Sequence, residues 1–171
     1  MSFNNNSIKR LSLIAGIKRE NKDNTPVINH LVSQYITRVI NQLVSIISYC
    51  GRKTVTVQDV QLLWNLDYSH ILCSRMTNIG VCIDKMEINN IIRGKKGGKV
   101  YTTQKPFSEL MRAQLPDGIC FGNGVQILLQ LLTETFIIKI MNMAKILVMG
   151  DRDTLLPRDI HLVSRYVFPN Y

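Results

Sequence analysis

The chain has 171 residues, enough for one domain or two small ones, and 46% of them are apolar, ample for a core. Lys and Arg number 21 against 12 Asp and Glu, and the net charge of +9 with pI near 9.6 points to a polyanionic partner. Four cysteines without CxxC spacing (Cys50, Cys73, Cys82, Cys120) argue against a zinc site or a disulfide framework, and the N-terminus lacks the apolar core of a signal peptide.

In chain order, residues 8–15 read as a short amphipathic helix (Ile8, Leu11, Ile14, Ala15) with Lys9 and Arg10 on the other side and Gly16 as its stop. A polar loop over 17–24 follows. Thr25-Pro26 then predicts a helix start, a cap followed by proline at the first position. From Val27 to Cys50 apolar residues recur as adjacent pairs: Val27/Ile28, Leu31/Val32, Tyr35/Ile36, Val39/Ile40, Leu43/Val44 and Ile46/Ile47. This is a wide stripe on a helix of about 36 Å, and it needs short helices across it and a partner. Gly51 stops the helix. The stretch Arg52-Lys53-Thr54-Val55-Thr56-Val57-Gln58-Asp59 follows and opens a short helix over 57–64.

The second half replays this order. Phe107–Leu115 predicts a short helix (Phe107, Leu110, Met111, Leu115) preceded by Pro106 and broken by Pro116-Asp117-Gly118. A loop leads to a long apolar helix over Val125–Met149, stopped by Gly150. Its Glu134, Lys139 and Lys145, with Gln126, Gln130 and Asn142, argue against a membrane span. Then comes Arg152-Asp153-Thr154-Leu155-Leu156-Pro157-Arg158-Asp159 and a last helix over 157–166. Residues 65–104 join the halves and are too apolar for a free linker (Ile71, Leu72, Met76, Ile79, Ile91, Ile92). Their basic segment, Arg93 to Lys99, serves either solubility or the DNA backbone.

The two loop stretches are one motif used twice: Arg, any residue, Thr, aliphatic, three residues, Asp. Thr56 suits an N-cap, and Asp59 can bond back towards it. Pro157 suits a first turn. In each copy the Arg seven residues before the Asp lies across the loop and can pair with it, giving Arg52–Asp59 and Arg152–Asp159. A loop pinned in this way presents Arg, Thr and backbone N–H groups together, which suits phosphate.

Short–long–short helices with an Arg…Asp pair between the second and third resemble the histone fold. The first half resembles core histone four through Ile8-Lys9-Arg10-Leu11, Gly16-Ile17-Lys18-Arg19, Arg52-Lys53-Thr54-Val55-Thr56 and Asp59-Val60. The second half resembles core histone three through Lys105-Pro106-Phe107 with Leu110 and Arg112, and Pro157-Arg158-Asp159-Ile160 with Leu162 and Arg165. The whole looks like a fused histone doublet of the type carried by large DNA viruses. The resemblance implies an all-α chain of two tandem histone folds in an intramolecular handshake. Residues 1–64 would form one fold, 65–104 a connector and 105–171 the other.

It also implies DNA contacts. Arg19 matches an arginine that enters the minor groove. Lys9, Arg10, Lys18, Arg52, Lys53, Thr54, Arg112, Arg152, Thr154 and Arg158 match positions near phosphate. A four-helix contact to a second copy falls on Ile146, Met149, Arg152, Asp159 and Leu162. The implied partners are double-stranded DNA, companion histones resembling the other two core types and a second copy of the chain, with no membrane. The implied setting is a virion and the host nucleus or viral factory. Departures are the short N-terminal tail without Lys or Arg, Ile119 at the second groove-entering position, Asp151 for a basic residue and Met149 for a histidine. A histone-fold transcription-factor subunit is the other reading. It would call for base-reading elements or long activation segments. His30, His70 and His161 fall in separate elements, and no nucleophile–base grouping or metal-ligand spacing appears, so no enzymatic role, cofactor or metal is expected.

Overall fold

The computed structural model describes residues 3–63, 102–148, 152 and 154–167. The expected connector, its basic segment, and Met149, Gly150, Asp151 and Asp153 lie outside the described residues. The elements are α1 (Asn5–Ile14), β1 (Arg19–Glu20), α2 (Asn24–Tyr49), β2 (Thr54–Val55), a helix α3 at 57–63, α4 (Gln104–Gln114), β3 (Cys120–Phe121), α5 (Val125–Leu147), β4 (Thr154–Leu155) and α6 (Pro157–Val167).

The local chemistry of the chain accounts for most boundaries. Helix α1 starts at Asn5 rather than Ile8, because the Asn4 side chain caps it by accepting from the Ser7 N–H at 2.7 Å. Its core face also differs from the expected one. Ile14 is exposed, while Ser12 is buried and donates to the Ile8 carbonyl. Helix α2 begins at Asn24, so Thr25 is not its cap and Pro26 lies inside the first turn. At the other end Gly51, at φ +66°, lets the Arg52 N–H reach back to the Ile47 carbonyl at 2.9 Å. That left-handed cap satisfies the last carbonyls of α2, and Gly16 closes α1 in the same way. Helix α4 starts at Gln104, so Pro106 sits in its first turn.

Two short parallel pairings set the topology. β1 pairs with β4, and β2 pairs with β3. β1 leads into α2 and β4 follows α5; β2 follows α2 and β3 leads into α5. The two long helices therefore run antiparallel, each end of one clipped to the opposite end of the other. They cross near their centres, where the rings of Tyr35 and Phe136 stack with centroids 4.0 Å apart and 6° between planes. The apolar stripe of α2 is buried at Ile28, Leu31, Val32, Ile36, Val39, Ile40, Leu43 and Ile47. The facing surfaces of α5, α1, α4 and α6 complete one continuous core.

Helix α5 is long and apolar enough to cross a membrane, yet 78% of its apolar window is buried within the protein. It is the central core helix. Gln130 and Glu134 do more there than lower its hydropathy. Buried Glu134 accepts from the Thr102 N–H and hydroxyl at 2.7 and 2.6 Å, and Gln130 donates to the Thr102 carbonyl at 2.9 Å. These bonds satisfy buried polar groups and fix the backbone just before α4.

Candidate nucleic-acid interface

The loop between β2 and α3 is closed by one carboxylate. Asp59 is buried, and it accepts from both Arg52 guanidinium NH2 groups at 3.1 and 2.6 Å and from the Thr56 N–H and hydroxyl at 2.8 and 2.7 Å. Burial alone would raise its pKa. The bonds from Arg52 and Thr56 outweigh that and hold it below the usual carboxylate range. The same contact raises the pKa of Arg52 further, so its charge is fixed. The planar fork is held at one edge and leaves the rest of the guanidinium exposed beside Lys53 and Thr54.

The second copy repeats this with fewer bonds. Arg152 donates to Asp159, and the Leu156 N–H donates to the same carboxylate at 2.8 Å. Leu156 has no hydroxyl to match that of Thr56. Arg158, largely exposed, has its Nε 3.9 Å from Asp159.

The strand pairings gather the basic residues into two platforms at opposite ends of the long helices. At one end Arg19 stands opposite Thr154, which brings Lys18 and Arg19 beside Arg152 and Thr154. At the other end Thr54 stands opposite Cys120, beside Arg52 and Lys53. A helix of 26 residues separates the platforms by about 39 Å along α2. Lys9 and Arg10 are exposed on α1, and Arg112 is exposed on α4.

One register assignment needs correction. Ile119 was expected where the second half would present a groove-entering arginine. In the strand register the counterpart of Arg19 is Cys120, since each pairs with the Thr of the opposing motif. The turn at Gly118 rotates Ile119 inward, where it packs half-buried against the core. Cys120 is an exposed free thiol, so this platform has no cation at the position that Arg19 fills on the other.

The expected four-helix residues are partly visible. Ile146 and Leu162 are 52% and 45% exposed, with Leu147 and Tyr166 exposed nearby in sequence, whereas Arg152 and Asp159 are engaged with each other. The corresponding end of the first half exposes Tyr49 and Leu62. Two further residues carry structure that the motifs did not signal. Asn24, fully buried, donates to the Leu155 carbonyl at 3.0 Å and ties the start of α2 to β4. Glu20 lies half-buried within the Lys18–Arg19 platform. Among the described residues no group of three or more His, Cys, Asp or Glu is placed to hold a metal.

No protein-family model matches the chain, and no curated protein does. Among solved structures it is similar to the histone from Methanopyrus kandleri, with a TM-score of 0.68 at 15% identity over 98% of this chain and 97% of that one. It is similar to a protein from Thermus thermophilus with a TM-score of 0.68 at 13% identity, each chain covered in full. The fold is therefore all-α, with two tandem histone folds in an intramolecular handshake.

Proposed function

We propose that this chain is a core histone doublet that packages DNA in a virus, wrapping it through phosphate-backbone and minor-groove contacts. The observation that carries the reading is the pairing of β1 with β4 and β2 with β3. It sets the pinned Arg loop of one half beside the first loop of the other, once at each end of the molecule. Two platforms with Lys, Arg and Thr suit two successive inward-facing stretches of one duplex. In this reading Arg19 enters the groove; Lys18, Arg52, Lys53, Thr54, Arg152 and Thr154 hold the flanking phosphates. Lys9, Arg10, Arg112 and Arg158 extend the track.

Two chains meet through the exposed Ile146 and Leu162 of the second half, with Arg152 and Asp159 near that contact. Companion histones resembling the other two core types dock at the Tyr49 and Leu62 end, and the particle belongs in the virion and in host nuclear or viral-factory chromatin. Fusing the two folds makes their pairing independent of concentration. Binding driven by the backbone must fall steeply with salt and ignore sequence. The test is to titrate the chain onto duplexes of unrelated sequence across a salt series. A log–log slope of several units, shared by all duplexes, is expected. A flat slope, or preference for one duplex by orders of magnitude, would overturn the reading.

A further inference from the structure

Glu20 places an acid inside a platform assigned to DNA. It follows Arg19 in β1 and pairs with Leu155 of β4. Its Oε1 is sealed from solvent without a hydrogen-bond partner. Ser12 of α1 lies against it, with a hydroxyl that donates to the Ile8 carbonyl at 3.0 Å. Among the described residues the charged group set against its carboxyl is Lys9 of α1; Arg19 precedes it in β1 and pairs with Thr154, and the Arg152 guanidinium before β4 is held by Asp159. From α2, Asn24 reaches β4 with an uncharged amide.

The internal counterpart of Glu20 is Phe121, which follows Cys120 in β3 and packs half-buried on the core. At the other end of the molecule this slot holds an apolar ring; here it holds a carboxyl. Burial favours its neutral form and raises its pKa, with Ser12 and Lys9 acting against that.

We propose that Glu20 is a proton-operated brake on the Lys18–Arg19 platform: ionised, it opposes a phosphate drawn to Lys9 and Arg19, and protonated, it admits one. The proposal rests on the DNA-packaging reading. An arriving phosphate competes for Lys9 and adds negative charge beside a carboxylate that has one oxygen without a donor. Both effects favour the neutral acid, so DNA binding and proton uptake at Glu20 are linked, and binding tightens as pH falls.

The experiment compares the full chain with Glu20→Gln, which keeps the shape and removes the charge. Duplex affinity at fixed salt and thermal melting without DNA are both followed from about pH 8 to about pH 5. At the upper end Glu20→Gln binds about fivefold tighter, the worth of one close unit-charge contact in a watery dielectric. The ratio closes towards one at the lower end. The histidines are common to both proteins and cancel in that ratio. Without DNA, Glu20→Gln melts higher at the upper end, and the difference shrinks over the same interval. A ratio that stays constant with pH, or a variant that binds no tighter, overturns the brake while leaving DNA binding intact. No binding by either protein at any pH overturns the brake together with the reading on which it rests.

Discussion

Gly122 is where the clasp between the two halves is most exposed to a single change. Its N–H donates to the Val55 carbonyl at 2.8 Å, and a Cβ added to it would stand 2.9 Å from that same oxygen. Thr54 and Thr56 close the other sides at 3.8 and 3.9 Å. The obstacle is backbone and cannot swing away, so the strands must part by about 0.4 Å to reach an ordinary carbon–oxygen contact. That parting strains the Gly122–Val55 bond and the neighbouring bond from the Cys120 N–H to the Lys53 carbonyl. Each hydrogen bond contributes about 1 kcal/mol, and forced overpacking costs about 1–3 kcal/mol. Gly122→Ala should therefore destabilise by roughly 2–4 kcal/mol, a fall in Tm of roughly 5–12 °C for a chain of this size. Gly118→Ala is the control. It has φ +80° but open space around it, so it should cost only the left-handed strain of about 1–2 kcal/mol. Thermal and urea unfolding of both variants decide the matter. A Gly122→Ala protein that melts with wild type, or no lower than Gly118→Ala, would refute the claim that the β2–β3 pair clasps the halves.

Three other outcomes are expected. Asp59→Asn removes a carboxylate whose pKa is held low, so the stability it provides is present above its unfolded value of 3.8 and lost as pH falls through the lower folded value. The variant should lose about 1–2 kcal/mol near neutrality through its Thr56 bonds and show a flatter acid limb in Tm against pH; an unchanged limb would contradict this. Arg19→Ala should weaken duplex binding by roughly 3–10-fold at low salt and lower the salt slope by about one, while Cys120→Arg does the reverse, both without a change in Tm. Leu162→Glu places a charge on the exposed apolar end of α6, so sedimentation should show loss of self-association with the fold retained; persistent self-association would exclude that face.

The sequence carried the long-range plan because the plan is written in repeated local chemistry. The Arg…Asp spacing of seven is a loop closed on itself, and Arg52–Asp59 and Arg152–Asp159 form as that spacing demands. The paired apolar residues of α2 announced a face that had to be covered, and α5 covers it. What stayed hidden depends on partners distant in sequence. Asn24 looks like loop until β4 arrives beside it from the other half. Gln130 and Glu134 read as interruptions in an apolar helix, and their purpose is visible only once Thr102 is placed. Cys120 rather than Ile119 takes the register of Arg19 because a compact turn at Gly118 rotates the strand, and loop length alone does not reveal that rotation. The early start of α1 was legible in principle, since Asn4 stands three residues before Ser7 in an N-cap pattern, but the run of asparagines masks it.

The most direct test of the account is nuclease protection of DNA reconstituted with this chain, with and without companion histones of the other two core types. A discrete protected length on the order of 100–150 base pairs, the known scale of wrapping by histone octamers, is expected only when the companions are present. A much shorter or sequence-restricted footprint would contradict packaging and favour a transcription-factor subunit built on the same handshake; no protection at low salt would leave a histone fold used for protein contacts alone.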